Sequence, residues 1–250
     1  DPTRQTIAAP SFDPVHVPAD GVAERIPIRG VRRKIAEGLS RSVHTAVHFT
    51  VVDEADITRL NAKRKEYAAV LGQKLSFLPF VMTAACQALR HHPQLNANVD
   101  DANEQILRKA VINLGCAVDT DHGLMVPVIT DADRKSIVDL ASIVNEVAAA
   151  CRDRSIDRER LSGGTFTITN VGSYGGMFAT PIINYPEVAI LAVGRAKEQV
   201  VVRDGAIAPA LILPLSLSCD HRVVDGAEGA RFLNTVVRLL QDPATLLATT

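Results

Sequence analysis

The sequence predicts one α+β domain, a mixed central sheet flanked by helices, over residues 26–250. Apolar residues make up 47% of the 250 residues and charged residues 22%, the usual balance for a chain that buries a sizeable core. Short runs of β-forming residues alternate with segments of helical periodicity, and Asp204-Gly205 is a typical hairpin turn. Strands that are joined partly by hairpins and partly by helices indicate a mixed sheet.

Residues 1–25 differ in composition from the rest of the chain. Four prolines lie within the first 18 positions, and the segment shows neither helical nor strand periodicity. Proline fixes φ and removes a backbone donor, so residues 1–25 are predicted to be an extended linker or N-terminal arm. The chain begins at Asp1 without a charged-then-apolar leader. We therefore expect a fragment of a longer, cytoplasmic protein.

Helical spacing of apolar residues and terminal signals predict five helices. Val31, Ile35 and Leu39 lie on one face of the first, and Asp56 precedes the second as an N-cap. Pro93 ends the third, because a proline disfavours helical geometry in the residue before it. The five predicted helices cover residues 30–41, 57–71, 77–89, 136–152 and 227–240.

Alternating patterns and β-branched residues predict eight strands, which are separated by polar turns. The predicted strands are His48–Glu54, Gln105–Lys109, Val111–Val118, Leu124–Ile129, Thr165–Thr169, Glu187–Val193, Val200–Val202 and Ile212–Ser218.

Charge, hydropathy and cysteine spacing exclude several classes of protein. The 27 Lys and Arg against 28 Asp and Glu give a net charge of −1, without the basic excess of a nucleic-acid binder. No stretch approaches the roughly 18 consecutive apolar residues of a membrane span. The four cysteines are widely spaced and include no CxxC pair, which favours buried thiols over disulfides or a zinc site. We expect a soluble protein that binds neither nucleic acid nor membrane.

The densest chemical signal lies at Ser216–Gly226, SLSCDHRVVDG. A strand of alternating Leu and Ser leads into His221, and Asp225 precedes a helix. An imidazole titrates near about pH 6.5 and is a suitable base for a thiol or hydroxyl. Asp225 could orient it, or accept backbone N–H bonds at the helix start. On the pattern alone a chance His–Asp pair is the commoner interpretation, and a metal site lacks a third ligand nearby.

Several sequence blocks resemble the dihydrolipoamide acyltransferase family, the core (E2) subunits of 2-oxo acid dehydrogenase complexes. The H-x-x-x-D-G run from His221 to Gly226 resembles the family's active-site signature, which chloramphenicol acetyltransferase shares together with the fold. The resemblance covers about Ile26 to Leu247 and implies a chloramphenicol acetyltransferase-like domain. The further blocks, in family order, are Ile28–Ala36, Lys74–Phe80, Asp119–Ile129, Gly163–Gly172 and Pro181–Gly194.

The resemblance implies transfer of an acyl group between the sulfur of a dihydrolipoyl arm and the thiol of coenzyme A. His221 would remove the thiol proton before the thiolate attacks the thioester carbonyl. Thr169 matches a position that is Ser or Thr in the family, and its hydroxyl would stabilise the oxyanion. Asp225 matches a position that is Asp or Asn. Its expected role is therefore orientation and turn support by hydrogen bonding.

The resemblance suggests roles for two further residues. Arg41 aligns with a position near the active-site aspartate or the coenzyme in some members. Asp119 aligns with an acidic position that, in similar proteins, lines the coenzyme end of the active-site channel. A surface arginine and a β-turn aspartate are the open alternatives. The sequence departs from the family at Val47, because a proline usually precedes His48 there.

The resemblance also implies partners. The subunits would form trimers in which His221 and Thr169 come from neighbouring chains, and the trimers would join into a larger cubic or icosahedral core. Lipoyl domains would deliver the lipoamide, and the decarboxylase (E1) and dihydrolipoamide dehydrogenase (E3) would bind through upstream domains. We expect the helix Ala227–Leu240 and the apolar Leu246 and Leu247 to leave aliphatic surface for this assembly.

Alternatives remain open for the identity of the acyl group and for the class of protein. Ile168–Ser173 and Asn184–Glu187 resemble cores of pyruvate complexes of the Gram-positive type, which favours acetyl, whereas Lys74–Phe80 and Asp225–Ala227 also resemble branched-chain acyltransferases. A free-standing chloramphenicol-type acetyltransferase and a non-catalytic scaffold are alternatives from other classes. The proline-rich arm favours a complex subunit over the first, and the retained His and hydroxyl favour catalysis over the second.

Overall fold

The computed structural model describes residues 20–72, 74–121, 123–173 and 175–248. Most of the predicted linker at 1–25 therefore lies outside the described residues. All five predicted helices are present, with a short sixth at the C-terminal end. The helices are α1 (Gly30–Thr45), α2 (Thr58–Leu71), α3 (Leu78–His91), α4 (Ile137–Arg152), α5 (Gly226–Gln241) and α6 (Pro243–Leu247).

Nine strands are formed within the described ranges. They are β1 (His48–Asp56), β2 (Ala97–Asp100), β3 (Gln105–Arg108), β4 (Leu114–Ala117), β5 (Val128–Ile129), β6 (Phe166–Asn170), β7 (Ala189–Val193), β8 (Lys197–Arg203) and β9 (Ala206–Asp220).

Seven of these strands form one mixed sheet. Their order is β1-β9-β7-β6-β4-β5, and β8 pairs with the first half of β9. Strands β4, β6 and β7 run parallel to one another, and the other pairs are antiparallel. Strands β2 and β3 form a separate hairpin. The predicted mixed sheet flanked by helices is confirmed.

The two faces of the sheet differ in chemistry. Phe166 and Ile168 of β6 join the main core, where the rings of Phe166 and Phe232 of α5 lie 5.5 Å apart. The opposite face carries the alternate residues, among them Thr167 and Ser218. The C-terminal end of α1 and the segment 179–185 cover part of that polar face, where Ala46 and Ile183 pack against Ile190.

Strand β9 is longer than predicted. It continues through two prolines and spans 15 residues, whereas the sequence predicts only Ile212–Ser218. Pro209 is tolerated because β1 begins to pair with β9 only at Ile212, so Pro209 has β8 as its one neighbouring strand. The opposite error occurs at 124–129, where only Val128 and Ile129 form a strand.

The expectation that the last helix and the apolar C-terminal residues leave aliphatic surface for assembly is wrong. The apolar stripe of α5 packs in the chain's own core, and Leu246 of α6 is fully buried there. Large exposed apolar side chains lie instead on the β8–β9 hairpin, where Val200, Val202 and Ile207 are each at least 76% exposed.

Within the described ranges, every helix is too short or too polar to cross a membrane.

Candidate active site

His221 directly follows β9, at the end of the sheet where β1 begins. Its backbone N–H donates to the Val47 carbonyl at 2.8 Å, and its exposed imidazole packs against the Phe49 ring at a tilt of 52°, with 4.6 Å between centroids. Among the described residues, neither ring nitrogen makes a hydrogen bond within 3.5 Å. The imidazole therefore rests on an apolar ring with both nitrogens available to a substrate.

Asp225 occupies the N-cap position of α5 but does not cap the helix with its side chain. Its φ and ψ are extended, and its carbonyl accepts the first intrahelical bond, from Gly229 N–H at 3.0 Å. The carboxylate is exposed and accepts no bond from the helix N-terminus. Asp225 thus ends the turn that begins at His221, through its backbone, and leaves its carboxylate uncommitted.

Thr169 and Asp119 lie together at the other end of the sheet. Thr169 is half-buried near the C-terminal end of β6, and its register partner on β4 is Ala117. Asp119 is two residues beyond Ala117, just past the end of β4, and is exposed. The hydroxyl lies on the polar face of the sheet, since its neighbours Ile168 and Phe166 point into the core.

The structure does not bring Thr169 and His221 together within one chain. Thr169 aligns with Ala192 of β7, and Ala192 aligns with Ser216 of β9. Five residues along β9 at about 3.4 Å each, combined with two strand spacings of about 4.8 Å, separate the two Cα atoms by about 20 Å. That separation is too large for both side chains to contact one reacting carbonyl.

Arg41 lies on α1 and is exposed. It forms no ion pair with any described residue, so its side chain is available to a ligand. The adjacent Ser42 is buried and donates to the Ile183 carbonyl at 2.6 Å, which fixes the last turn of α1 over the polar face. Nearer the N-terminal end of α1, the Ile35 side chain lies so close to Gly123 that a Cβ added at Gly123 would be 2.7 Å from it. Helix α1 therefore runs from the Asp119 loop towards the His221 end.

Sequence reasoning missed a buried carboxyl at Glu187. It accepts hydrogen bonds from the Thr167 hydroxyl at 2.6 Å and from the Asn184 amide at 3.0 Å. Burial raises the pKa of Glu187 to about 7, and those two hydrogen bonds oppose the rise. The signal is a glutamate inside an otherwise apolar run, PEVAILAVG, whose pattern by itself predicts only a strand.

Sequence reasoning also missed Asp101 and Tyr185, whose hydroxyl donates to the Asp101 carboxylate beside Arg222. No local pattern could reveal this contact, because the two residues are 84 positions apart. Among the described residues, no three His, Cys, Asp or Glu side chains are grouped so as to hold a metal ion.

Comparison with known proteins shows a match over nearly all of the described chain. The family model for the catalytic domain of 2-oxoacid dehydrogenases acyltransferase matches residues 21–248. The dihydrolipoyllysine-residue acetyltransferase component of the pyruvate dehydrogenase complex of Bacillus subtilis is 45% identical over 89% of this chain, and that of Staphylococcus aureus is 43% identical over 98%. The chain spans about half the length of these curated relatives, 51% and 58%.

Solved structures show the same similarity. The dihydrolipoamide acetyltransferase of Azotobacter vinelandii matches with a TM-score of 0.87 and 39% identity, over 96% of this chain and 100% of that one. The cubic core of a pyruvate dehydrogenase multienzyme complex matches with a TM-score of 0.87, 40% identity and the same coverage. A chloramphenicol acetyltransferase, at 15% identity, matches with a TM-score of 0.51 over 86% of this chain and 98% of its own, which confirms the predicted fold. The chain belongs to the family of 2-oxoacid dehydrogenase acyltransferase catalytic domains.

Proposed function

We propose that this chain is the catalytic core of a dihydrolipoyllysine-residue acetyltransferase, which transfers an acetyl group between a dihydrolipoyl arm and coenzyme A. The identity of 43–45% to acetyltransferase components of pyruvate dehydrogenase complexes, over nearly the whole chain, carries this proposal. None of the relatives described above is a branched-chain acyltransferase.

Residue spacing supports the assignment of the catalytic groups. In the A. vinelandii enzyme a serine, a histidine and an asparagine have been investigated for roles in the catalytic mechanism. The serine precedes the histidine by 52 positions and the asparagine follows it by four. Thr169, His221 and Asp225 have the same spacing in this chain. We assign them as the hydroxyl donor, the base and the orienting residue.

The chemistry follows from these groups. His221 accepts the proton of the coenzyme A thiol, and the thiolate attacks the carbonyl carbon of the acetyl-dihydrolipoyl thioester. The Thr169 hydroxyl donates a hydrogen bond to the oxyanion of the tetrahedral intermediate. The intermediate then collapses, the carbon–sulfur bond to the dihydrolipoyl arm breaks, and the leaving sulfur takes the proton from His221. Asp225, whose carboxylate is uncommitted, orients the imidazole by a hydrogen bond when substrate is bound.

The separation of about 20 Å between Thr169 and His221 supports a site shared between subunits. In a trimer, His221 of one subunit would face Thr169 of the next, and the acyl transfer would take place at the interface. The exposed apolar side chains of the β8–β9 hairpin would be covered in that assembly. The relative that forms a cubic core supports further association of trimers into a large symmetric particle.

The substrates would approach through the two ends of this interface. Arg41 lies on α1 and Asp119 lies just past the end of β4, and both are exposed. We assign them to coenzyme A. The lipoyl arm would arrive on a separate lipoyl domain, and the decarboxylase and dihydrolipoamide dehydrogenase would bind through upstream segments, in the cytoplasm.

Steady-state kinetics with free dihydrolipoamide test the proposal. We expect acetyl-CoA to give a higher kcat/KM than isobutyryl-CoA or succinyl-CoA, with the His221→Ala protein as the matched inactive control. A preference for isobutyryl-CoA would assign the chain to a branched-chain complex. Transfer to chloramphenicol instead of dihydrolipoamide, or no transfer to either, would contradict the proposal.

A further inference from the structure

The turn that carries His221 is anchored through the residues on either side of it. The Asp220 side chain is fully buried, and its carboxylate accepts hydrogen bonds from the backbone N–H groups of Val47 and Arg222, each at 3.1 Å. The Arg222 guanidinium donates to Asp220 Oδ2 from Nη2 at 2.7 Å and from Nε at 3.0 Å. A bidentate charged pair of this kind has a fixed geometry, so it holds the backbone at 220 and 222 together.

The same guanidinium is held from its exposed side. Arg222 Nη1 donates to Asp101 Oδ1 at 3.0 Å, and the Tyr185 hydroxyl donates to the other oxygen of Asp101. The Tyr185 hydrogen bond, and then Arg222, lower the pKa of Asp101, so this carboxyl stays ionised. Asp101 lies in the turn between β2 and β3. The guanidinium therefore joins the end of β9 to a hairpin that is distant in sequence.

An arginine is required for this arrangement. Three of its nitrogens donate in two directions, towards buried Asp220 and towards exposed Asp101. A lysine ammonium is a point charge on a flexible stem and cannot span both carboxylates with fixed geometry. Removing the guanidinium altogether would leave the Asp220 carboxylate buried without a cation.

We propose that Arg222, clamped between Asp220 and Asp101, is a positioning residue for the His221 imidazole. This inference rests on the proposed function, in which His221 is the base. The imidazole makes no hydrogen bond to a described residue, so the anchored backbone and the Phe49 ring set its position, to which the hydrogen bond proposed for Asp225 is added when substrate is bound. A displacement of about 1 Å in a reacting group can cost about 100-fold in rate, so a loose turn would slow catalysis.

The kinetics of Arg222 variants test the proposal. Arg222→Ala is expected to lower kcat by about 100-fold and to change the KM for coenzyme A by less than about threefold. Arg222→Lys is expected to lower kcat by about tenfold or more, because the charge alone does not restore the clamp. The control is Arg160→Ala, since Arg160 is 34% exposed against 32% for Arg222 and pairs with Glu146 at 2.6 Å on a remote helix.

The Arg160→Ala control is expected to keep the wild-type kcat. An Arg222→Ala protein that keeps more than about half of the wild-type kcat, or a fully active Arg222→Lys protein, would overturn the proposal, because a role for the guanidinium fork excludes both results.

Asp101 variants test the clamp from its exposed end and leave the buried Asp220–Arg222 pair intact. They therefore provide a test even if Arg222→Ala fails to fold. Asp101→Ala is expected to lower kcat by about fivefold or more with little effect on KM. Asp101→Asn keeps an oxygen that accepts from Arg222, so most of the activity should return. Equal kcat values for Asp101→Ala and the wild type would exclude a role for Asp101 in positioning His221.

Amide hydrogen exchange gives a readout that does not depend on activity. The N–H groups of Val223 and Val224 donate to the Asp220 carbonyl at 2.9 Å. Peptides covering residues 219–226 should exchange about tenfold faster in Arg222→Ala and Asp101→Ala than in the wild type or Arg160→Ala. Unchanged exchange overturns the clamp. If the variants exchange faster but the wild type transfers no acyl group, the clamp is supported and only the proposed function is refuted.

Discussion

Subunit mixing tests whether the active site is shared between chains. His221→Ala removes the proposed base, and a positioned base contributes about 10²–10⁴-fold to a rate. Thr169→Val removes one oxyanion donor, which is worth about 10²–10³-fold. Each variant alone should therefore be nearly inactive. Because the two residues are about 20 Å apart in one chain, each variant still supplies the residue that its neighbour lacks.

The expected recovery follows from the geometry of a trimer. In the proposed trimer, each interface would take His221 from one subunit and Thr169 from the next. When the two variants are mixed in equal amounts, each of these residues is intact with a probability of about one half, so about one quarter of the interfaces become active. The assay is acetyl transfer from acetyl-CoA to dihydrolipoamide after joint refolding, with subunit exchange verified by native mass spectrometry.

A second mixture separates a shared site from a site within one chain. Wild-type subunits mixed equally with the double variant His221→Ala/Thr169→Val should keep about one quarter of the wild-type activity if the site is shared, and about one half if it is not. Mixing His221→Ala with the double variant supplies no intact base and is the negative control. Absence of recovery in the first mixture despite proven subunit exchange would refute the shared site.

Three further outcomes are expected. Thr169→Ser keeps the hydroxyl and should stay within about threefold of the wild-type kcat, whereas Thr169→Val should lose about 10²-fold or more at similar coenzyme KM. Asp225→Asn should retain most of the kcat and Asp225→Ala should not, because the proposed role needs a hydrogen bond and no charge; steady-state kinetics check this. Burial raises the pKa of Glu187 from 4.5 to about 7, so its protonated form fits the fold, and its contribution to stability is lost as the pH rises through about 7. Scanning calorimetry at about pH 5 and about pH 8 should show a fall in Tm for the wild type that is smaller in Glu187→Gln, and equal falls would contradict the assignment.

Local patterns were sufficient for much of the fold. Helices α1 and α4 lie where the helical spacing of their apolar residues predicts them, and the Asp204-Gly205 turn joins β8 to β9 as expected. The β2 strand was missed because its four residues, ANVD, include two polar residues and form a strand only by pairing with β3. Pairing partners decide such short strands, and a single local pattern does not contain them.

The site was predictable only in part, for a related reason. His221, Thr169 and Asp225 are proposed as site residues because they lie in sequence blocks that resemble a family. The clamp around His221 depends on contacts between residues far apart in the chain, such as Arg222 and Asp101, which are 121 positions apart. The departure from the family at Val47 also gained a meaning only in the structure, since the Val47 N–H donates to Asp220 and a proline would lack that donor.

The separation of His221 and Thr169, the two proposed catalytic residues, is a consequence of topology. Strand β6 is parallel to β7, and β7 is antiparallel to β9, so β6 and β9 run in opposite directions. Thr169 lies near the C-terminal end of β6 and His221 follows the C-terminal end of β9, so the two residues lie at opposite ends of the sheet along the strand direction. No change of side chains within this topology can bring them together in one subunit. If both residues serve one reaction, as we propose, the chain needs a second copy of itself, and its assembly would be part of its active site.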